Sequence, residues 1–115
     1  MIDKLLGLQT QLRMYHWGTN SYAEHKALGK AYEGLDGLID TFVETWMGIH
    51  GKDLGNIKLD VREYSRGGPE VLLNQAVSFL TGDMNQEIND NSDLSNIRDE
   101  MLGIVNQTKY LLTLK

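Results

Sequence analysis

Met1, Leu5, Leu8, Leu12 and Tyr15 recur at alternating spacings of four and three, which predicts a helix with one buried stripe. Gly18-Thr19-Asn20-Ser21 is a turn cluster, with Asn20 or Ser21 available as the next N-cap. A second, longer helix is expected from about Tyr22 to Ile49. Leu28, Tyr32, Leu35, Ile39, Phe42, Trp46 and Ile49 form its apolar stripe, which Ala31, Leu38 and Val43 widen. Lys26, Lys30, Glu33 and Asp36 fall on its solvated or partner-facing side. Gly29, Gly34, Gly37 and Gly48 each weaken a helix interior by up to ~1 kcal/mol. Either tertiary packing tolerates them, or Gly34 and Gly37 admit the close approach of another backbone, as in a dimer.

Helical periodicity stops between Gly51 and Gly68, where only Ile57, Leu59 and Val61 alternate briefly. A connection of this length in a compact domain is often functional or interface-forming. Gly67-Gly68-Pro69 then opens a third helix, with Pro69 suited to its first turn. Val71, Leu73, Val77, Leu80, Met84 and Ile88 trace its buried stripe, and Gly82 is a candidate interruption. After the turn Asn89-Asp90-Asn91-Ser92, a fourth helix is expected from about Asp93 nearly to Lys115. Leu94, Ile97, Met101, Ile104, Val105, Thr108, Leu111 and Leu112 mark its apolar side. The predicted fold is all-α, one domain over residues 1–115. It is a four-helix up-down-down-up bundle whose second and third helices run parallel and are joined by a long crossover. Trp46, Phe42, Leu73, Leu80, Ile97 and Ile104 are expected to be mostly buried.

Composition narrows the chemistry. With no cysteine there is no disulfide, thiolate nucleophile or cysteine-type zinc site, and the chain suits a reducing, cytoplasmic setting. Met1 leads into an amphipathic pattern rather than the apolar core of a signal peptide. No apolar run approaches the ~20 residues of a membrane span. A net charge of −5, with no Lys/Arg cluster, argues against binding to duplex DNA at physiological salt.

The residues left with chemical potential are His16 and His25, on either side of the first turn, and Asp40 and Glu44, one helical turn apart. Imidazole nitrogens and carboxylates together suit iron, zinc or manganese. Taken singly, each has an ordinary reading as well: the acids as solvated surface groups, the histidines as side chains satisfied by backbone or water. The di-iron tetrad built on paired Glu-x-x-His motifs is absent.

The segments Tyr15-His16-Trp17, His25 and Asp40-Thr41-Phe42-Val43-Glu44 resemble the first two helices of Dps-type miniferritins. Within that family the likeness is to small Dps-like proteins encoded by bacteriophages. Val61-Arg62-Glu63-Tyr64 and the last helix, ending in Tyr110-Leu111-Leu112, extend the likeness over most of the chain. The resemblance implies a ferritin-like bundle that forms at least a homodimer. In it, His16 and His25 of one subunit and Asp40 and Glu44 of its two-fold mate bind iron(II) and promote its oxidation. The chain departs from the pattern in a shorter first turn, shorter helices and no basic extension. Gly29 also stands where the family carries an acidic ligand. Glu24 and Glu33 are nearby acids, but neither lies one turn beyond His25. Single-ion occupancy is therefore expected, strengthened if an acid is placed at position 29. The alternative is a metal-free helical dimer that serves in structure or interaction, without ferroxidase activity.

Overall fold

The apolar stripes meet along a shared seam. In the computed structural model, which describes residues 1–115, α1 spans Ile2–Gly18, α2 Tyr22–His50, α3 Gly68–Thr81, α4 Met84–Ile88 and α5 Ser92–Leu112, with no strand. The long helices form a bundle. At ~1.5 Å per residue α2 is about 43 Å long, which matches the longest dimension of the molecule, 42 Å. It is therefore the spine, and α1 and α5 pack along it.

Helix directions follow from who meets whom. Gly34 of α2 lies against Ile104 of α5, and Glu24 against Lys115, so α2 and α5 are antiparallel. Lys115 also reaches Glu70, so α2 and α3 begin at the same end and run parallel. Tyr15 approaches Gly68 while Lys4 sits over the Phe79 ring, which makes α1 and α3 antiparallel. The up-down-down-up order expected from the sequence is the observed one.

The core is built from Leu5, Leu12, Leu28, Leu35, Phe42, Leu73, Leu80, Leu94, Met101 and Val105, all essentially inaccessible. Removing one such leucine side chain typically costs about 2–5 kcal/mol in lost transfer energy and the cavity left behind. Phe42, Leu73 and Leu80 are buried as expected; Trp46, Ile97 and Ile104 are half-buried and pack against the core from its edge. The Trp46 indole N–H is directed to Glu87 of α4, 3.1 Å away, which explains its edge position. Two positions of the apolar stripes are not core. Ile49 is 44% exposed in the last turn of α2, beyond the reach of its neighbours, and Val71 is 57% exposed on α3.

The third predicted helix is two helices, α3 and α4, parted at Gly82. A Cβ there would lie 2.8 Å from the Ser78 carbonyl oxygen, so the kink depends on glycine. Near the break the Thr81 hydroxyl donates to the Val77 carbonyl (2.7 Å) and the Asn85 amide to the Thr81 carbonyl (2.8 Å), which satisfies acceptors at the helix end.

The crossover, residues 51–67, carries no helix or strand. Both its ends are glycines at positive φ, Gly51 (89°) and Gly67 (81°), where the chain reverses out of α2 and into α3. It is pinned to α1 by Gln11, which is buried. The Gln11 amide donates to the Arg62 carbonyl and accepts from the Arg62 N–H, both at 2.8 Å. One side chain thus substitutes for a strand partner.

Candidate functional site

Ser21 caps α2 by accepting from the Glu24 N–H (3.2 Å), and this tight start folds α2 back on the last turn of α1. The reversal brings His16 and His25 together. Their rings stack with centroids 3.7 Å apart and planes within 16°. The His16 Nδ1 donates to the His25 carbonyl (2.6 Å), and the His25 Nδ1 donates to the His16 carbonyl (2.8 Å). A carbonyl only accepts, so each Nδ1 carries hydrogen, and in the neutral ring Nε2 keeps the lone pair. The His16 carbonyl belongs to the final turn of α1, so the His25 ring also serves as that helix's cap. Tyr32 meets His16 edge-on at 5.3 Å, and Tyr22 lies 6.2 Å from His25.

Gly29 is explained by this stack. A Cβ at position 29 would lie 2.8 Å from His16 Cε1 and 3.0 Å from Nδ1, so the ring occupies the space a side chain would need. Gly34 and Gly37 have different surroundings. A Cβ at Gly34 would touch only the end of Ile104 from the same chain, and one at Gly37 would meet nothing within 4 Å.

Asp40 and Glu44 are exposed on α2, paired with one another. Asp40 pushes the Glu44 carboxyl above its usual range, through a shared hydrogen bond first and charge repulsion second. Fifteen residues at ~1.5 Å put Asp40 about 22 Å along the helix from His25. The two pairs therefore lie apart within one chain, and no three His, Asp or Glu side chains converge within it.

The donors fit a borderline divalent ion in type. Nδ1–H bonded to a carbonyl, with Nε2 left for the ion, is the usual arrangement of a ligating histidine. The stack sets a limit. In-plane lone pairs on two nearly parallel rings do not converge, so one ring has to turn before both can hold a single ion. A cavity of about 560 Å³ opens beside the pair, bordered by Lys26, Lys30 and Glu33. Its mouth is net cationic, which favours an approaching carboxylate.

The polar cluster least visible in the sequence lies around Glu24. Ser21-Tyr22-Ala23-Glu24 has the spacing of a capping box, in which the glutamate would turn back to the Ser21 N–H. That N–H instead donates to the Thr19 hydroxyl (3.1 Å), and Glu24 turns inward and is fully buried. Its carboxylate pairs with Lys115, whose ammonium also holds Glu70 at 2.6 Å. Burial raises the Glu24 pKa, but bonds from Lys115, Tyr64 and Thr19 outweigh it and hold the carboxyl below its usual range. Glu24 is thus a structural anion, with none of its geometry directed at the histidines.

Comparison with known proteins places the chain in one family. It belongs to DUF5856, a family of unknown function, whose model matches residues 16–112 and so includes all four candidate ligands. It is also similar to an uncharacterized 14.6 kDa protein from the mobD-ri intergenic region of Enterobacteria phage T4. The two are 28% identical over 123 residues, covering 98% of this chain and 88% of that protein. No solved structure matches.

Proposed function

We propose that this member of the DUF5856 family is a ferritin-like bundle that pairs with a second copy of itself through the exposed face of α2. The pairing would complete a divalent-metal site, with iron as the expected ion. The observation that supports the reading most is the charge order along that face. Lys26 and Lys30 precede Gly34 and Gly37, Asp40 and Glu44 follow, and all six are exposed. Two antiparallel copies of α2 centred near residue 35 set Lys26 against the partner's Glu44 and Lys30 against the partner's Asp40. The bare surface at Gly37 lets the backbones approach. Exposed pairs contribute only about 0–1 kcal/mol each, so they fix register more than affinity.

The same register carries the partner's carboxylates to the cationic mouth beside His16 and His25. There the Nε2 atoms and the two acids would hold the ion, once one imidazole has turned out of the stack. Bound iron(II) would supply redox chemistry, and the chain's own residues would bind and orient it. The stack also favours the second reading, a metal-free interaction dimer. Gly29 and the reciprocal carbonyl bonds satisfy both histidines without an ion.

Sedimentation equilibrium of the full chain tests the pairing. The expected result is a dimer that Lys30→Glu weakens and that the double variant Lys30→Glu/Asp40→Lys restores. A monomer at all concentrations sinks both readings. Anaerobic iron(II) titration with a His25→Ala control then separates them: a dimer that binds no iron is the interaction protein.

A further inference from the structure

We infer that the gap between α1 and α3 is a binding site for a small amphipathic carboxylate, with a charged head and a straight aliphatic body. Among the four long helices, α1 and α3 are the neighbouring pair that packs least closely, and between them runs a half-open cleft of about 640 Å³. This lies within the ~300–1,000 Å³ of ordinary small-molecule sites. α2 contributes no lining residue, so the inference stands apart from the dimer and from the histidine pair.

The apolar part of the lining runs along α3, interrupted by Gln75. Leu72, Ala76 and Phe79 form it, with Leu8 from α1 opposite. Val71 lies at its edge and is 57% exposed, although its place in the apolar stripe of α3 predicts burial. An aliphatic body lying there would cover the one stripe residue of α3 that the fold leaves uncovered. Between Gly68 and Phe79 the groove extends about 16 Å at ~1.5 Å per residue, long and narrow rather than broad.

Polar groups lie at both ends: Lys4 sits over the Phe79 ring at one, and a larger set lies at the other. Ser65, Arg66, Gly68 and Tyr15 line the cleft where the crossover enters α3. The chain as a whole has 16 acidic and 11 basic side chains, yet this cleft carries Lys4, Arg62 and Arg66 against the single acid Asp60. Asp60 is taken by Arg62 at 3.0 Å, and neither Arg66 nor Lys4 forms an ion pair. A guanidinium with two donors facing one way matches a carboxylate better than any neutral head. The excess of positive charge excludes a cationic amphiphile.

Decanoate is the probe, with decyltrimethylammonium and anionic phospholipid vesicles as the other arms, followed by amide chemical shifts of the full chain. Decanoate is expected to shift Gly68, Leu72 and Ala76 saturably, and the cation is expected to leave them unmoved. Arg66→Gln, at an exposed position that does not threaten the fold, should weaken decanoate about tenfold, equivalent to ~1.4 kcal/mol. Val71→Asp should abolish binding by placing an anion beside the aliphatic body. Equal binding of the cation, retained affinity in Arg66→Gln, or a response to vesicles without one to decanoate would each overturn the inference.

Discussion

Helix α2 carries acids in two opposite situations, Glu24 at one end and Asp40 with Glu44 near the other. Glu24 is inaccessible and its charge is answered within the chain by Lys115. Asp40 and Glu44 are exposed and have only each other, two like charges one turn apart. The charge of Glu24 is matched, although its Oε1 is buried without a hydrogen-bond partner; the charges of Asp40 and Glu44 are not. A carboxylate matched inside its own fold holds helices together, whereas one left against another anion is poised for a cation from elsewhere. The sequence does not distinguish the two, since each is an acid near a turn's spacing from polar neighbours.

The largest expected effect comes from breaking the matched site. Lys115→Met leaves Glu24 buried without its counter-ion and is expected to cost about 3 kcal/mol in urea unfolding. Glu24→Gln combined with Lys115→Met should cost clearly less than the two single changes added, because the partners share one interaction. The pH dependence follows from the same pair. The folded Glu24 value lies below the unfolded one, so its contribution is present above pH ~4.3 and fades as pH falls through the folded value. For Lys115, burial lowers the pKa but bonds to Glu24 and Glu70 raise it further. Its contribution is complete below pH ~10.4 and is lost as pH rises through the folded value.

A smaller effect is expected at the histidine stack. Gly29→Asp supplies the acid that the miniferritin likeness lacks, but its Cβ would enter the space of the His16 ring. The ring has to leave the stack and give up its bond to the His25 carbonyl. Overpacking of this kind costs about 1–3 kcal/mol, read in the metal-free protein by thermal unfolding. If the metal reading holds, iron(II) should restore more stability to Gly29→Asp than to the parent, since the freed imidazole and new acid would bind the ion in the folded state alone. Destabilisation without that recovery would leave the interaction reading standing alone.

Much of the helical layout was legible because the stripes of α1, α2 and α5 repeat with the period of a helix, and the only feature capable of reversing the first two is Gly18 to Ser21. The break at Gly82 was visible as a glycine; that its necessity comes from the Ser78 carbonyl was not. Val71 and Ile49 misled because periodicity reports which face a residue occupies, and not whether a neighbouring helix reaches that face. His16 and His25 could be brought together from the turn between them. Their stacking, and the reason for Gly29, depend on ring positions that spacing does not encode. Glu24, Lys115 and Gln11 were missed as structural groups because their partners lie far away in sequence.

The smallest expected effect is the sharpest on the unmatched acids. Asp40→Asn removes the anion that raises the Glu44 pKa, so the Glu44 titration, followed by carboxyl carbon shifts, should return toward the ordinary value near ~4.3. Stability should hardly change, because both side chains are in water. Its sign with pH is opposite to that of Glu24. A raised folded value makes the ionised form unfavourable in the fold, and protonation relieves this as pH falls through that value. The parent protein offers the same measurement without mutation. In the proposed dimer the partner's Lys26 faces Glu44, and an ammonium that close would oppose the repulsion from Asp40. The Glu44 titration should then move down as protein concentration rises through the association range. An unchanged titration in a sample shown to be dimeric would place the interface elsewhere and leave these two acids on open surface.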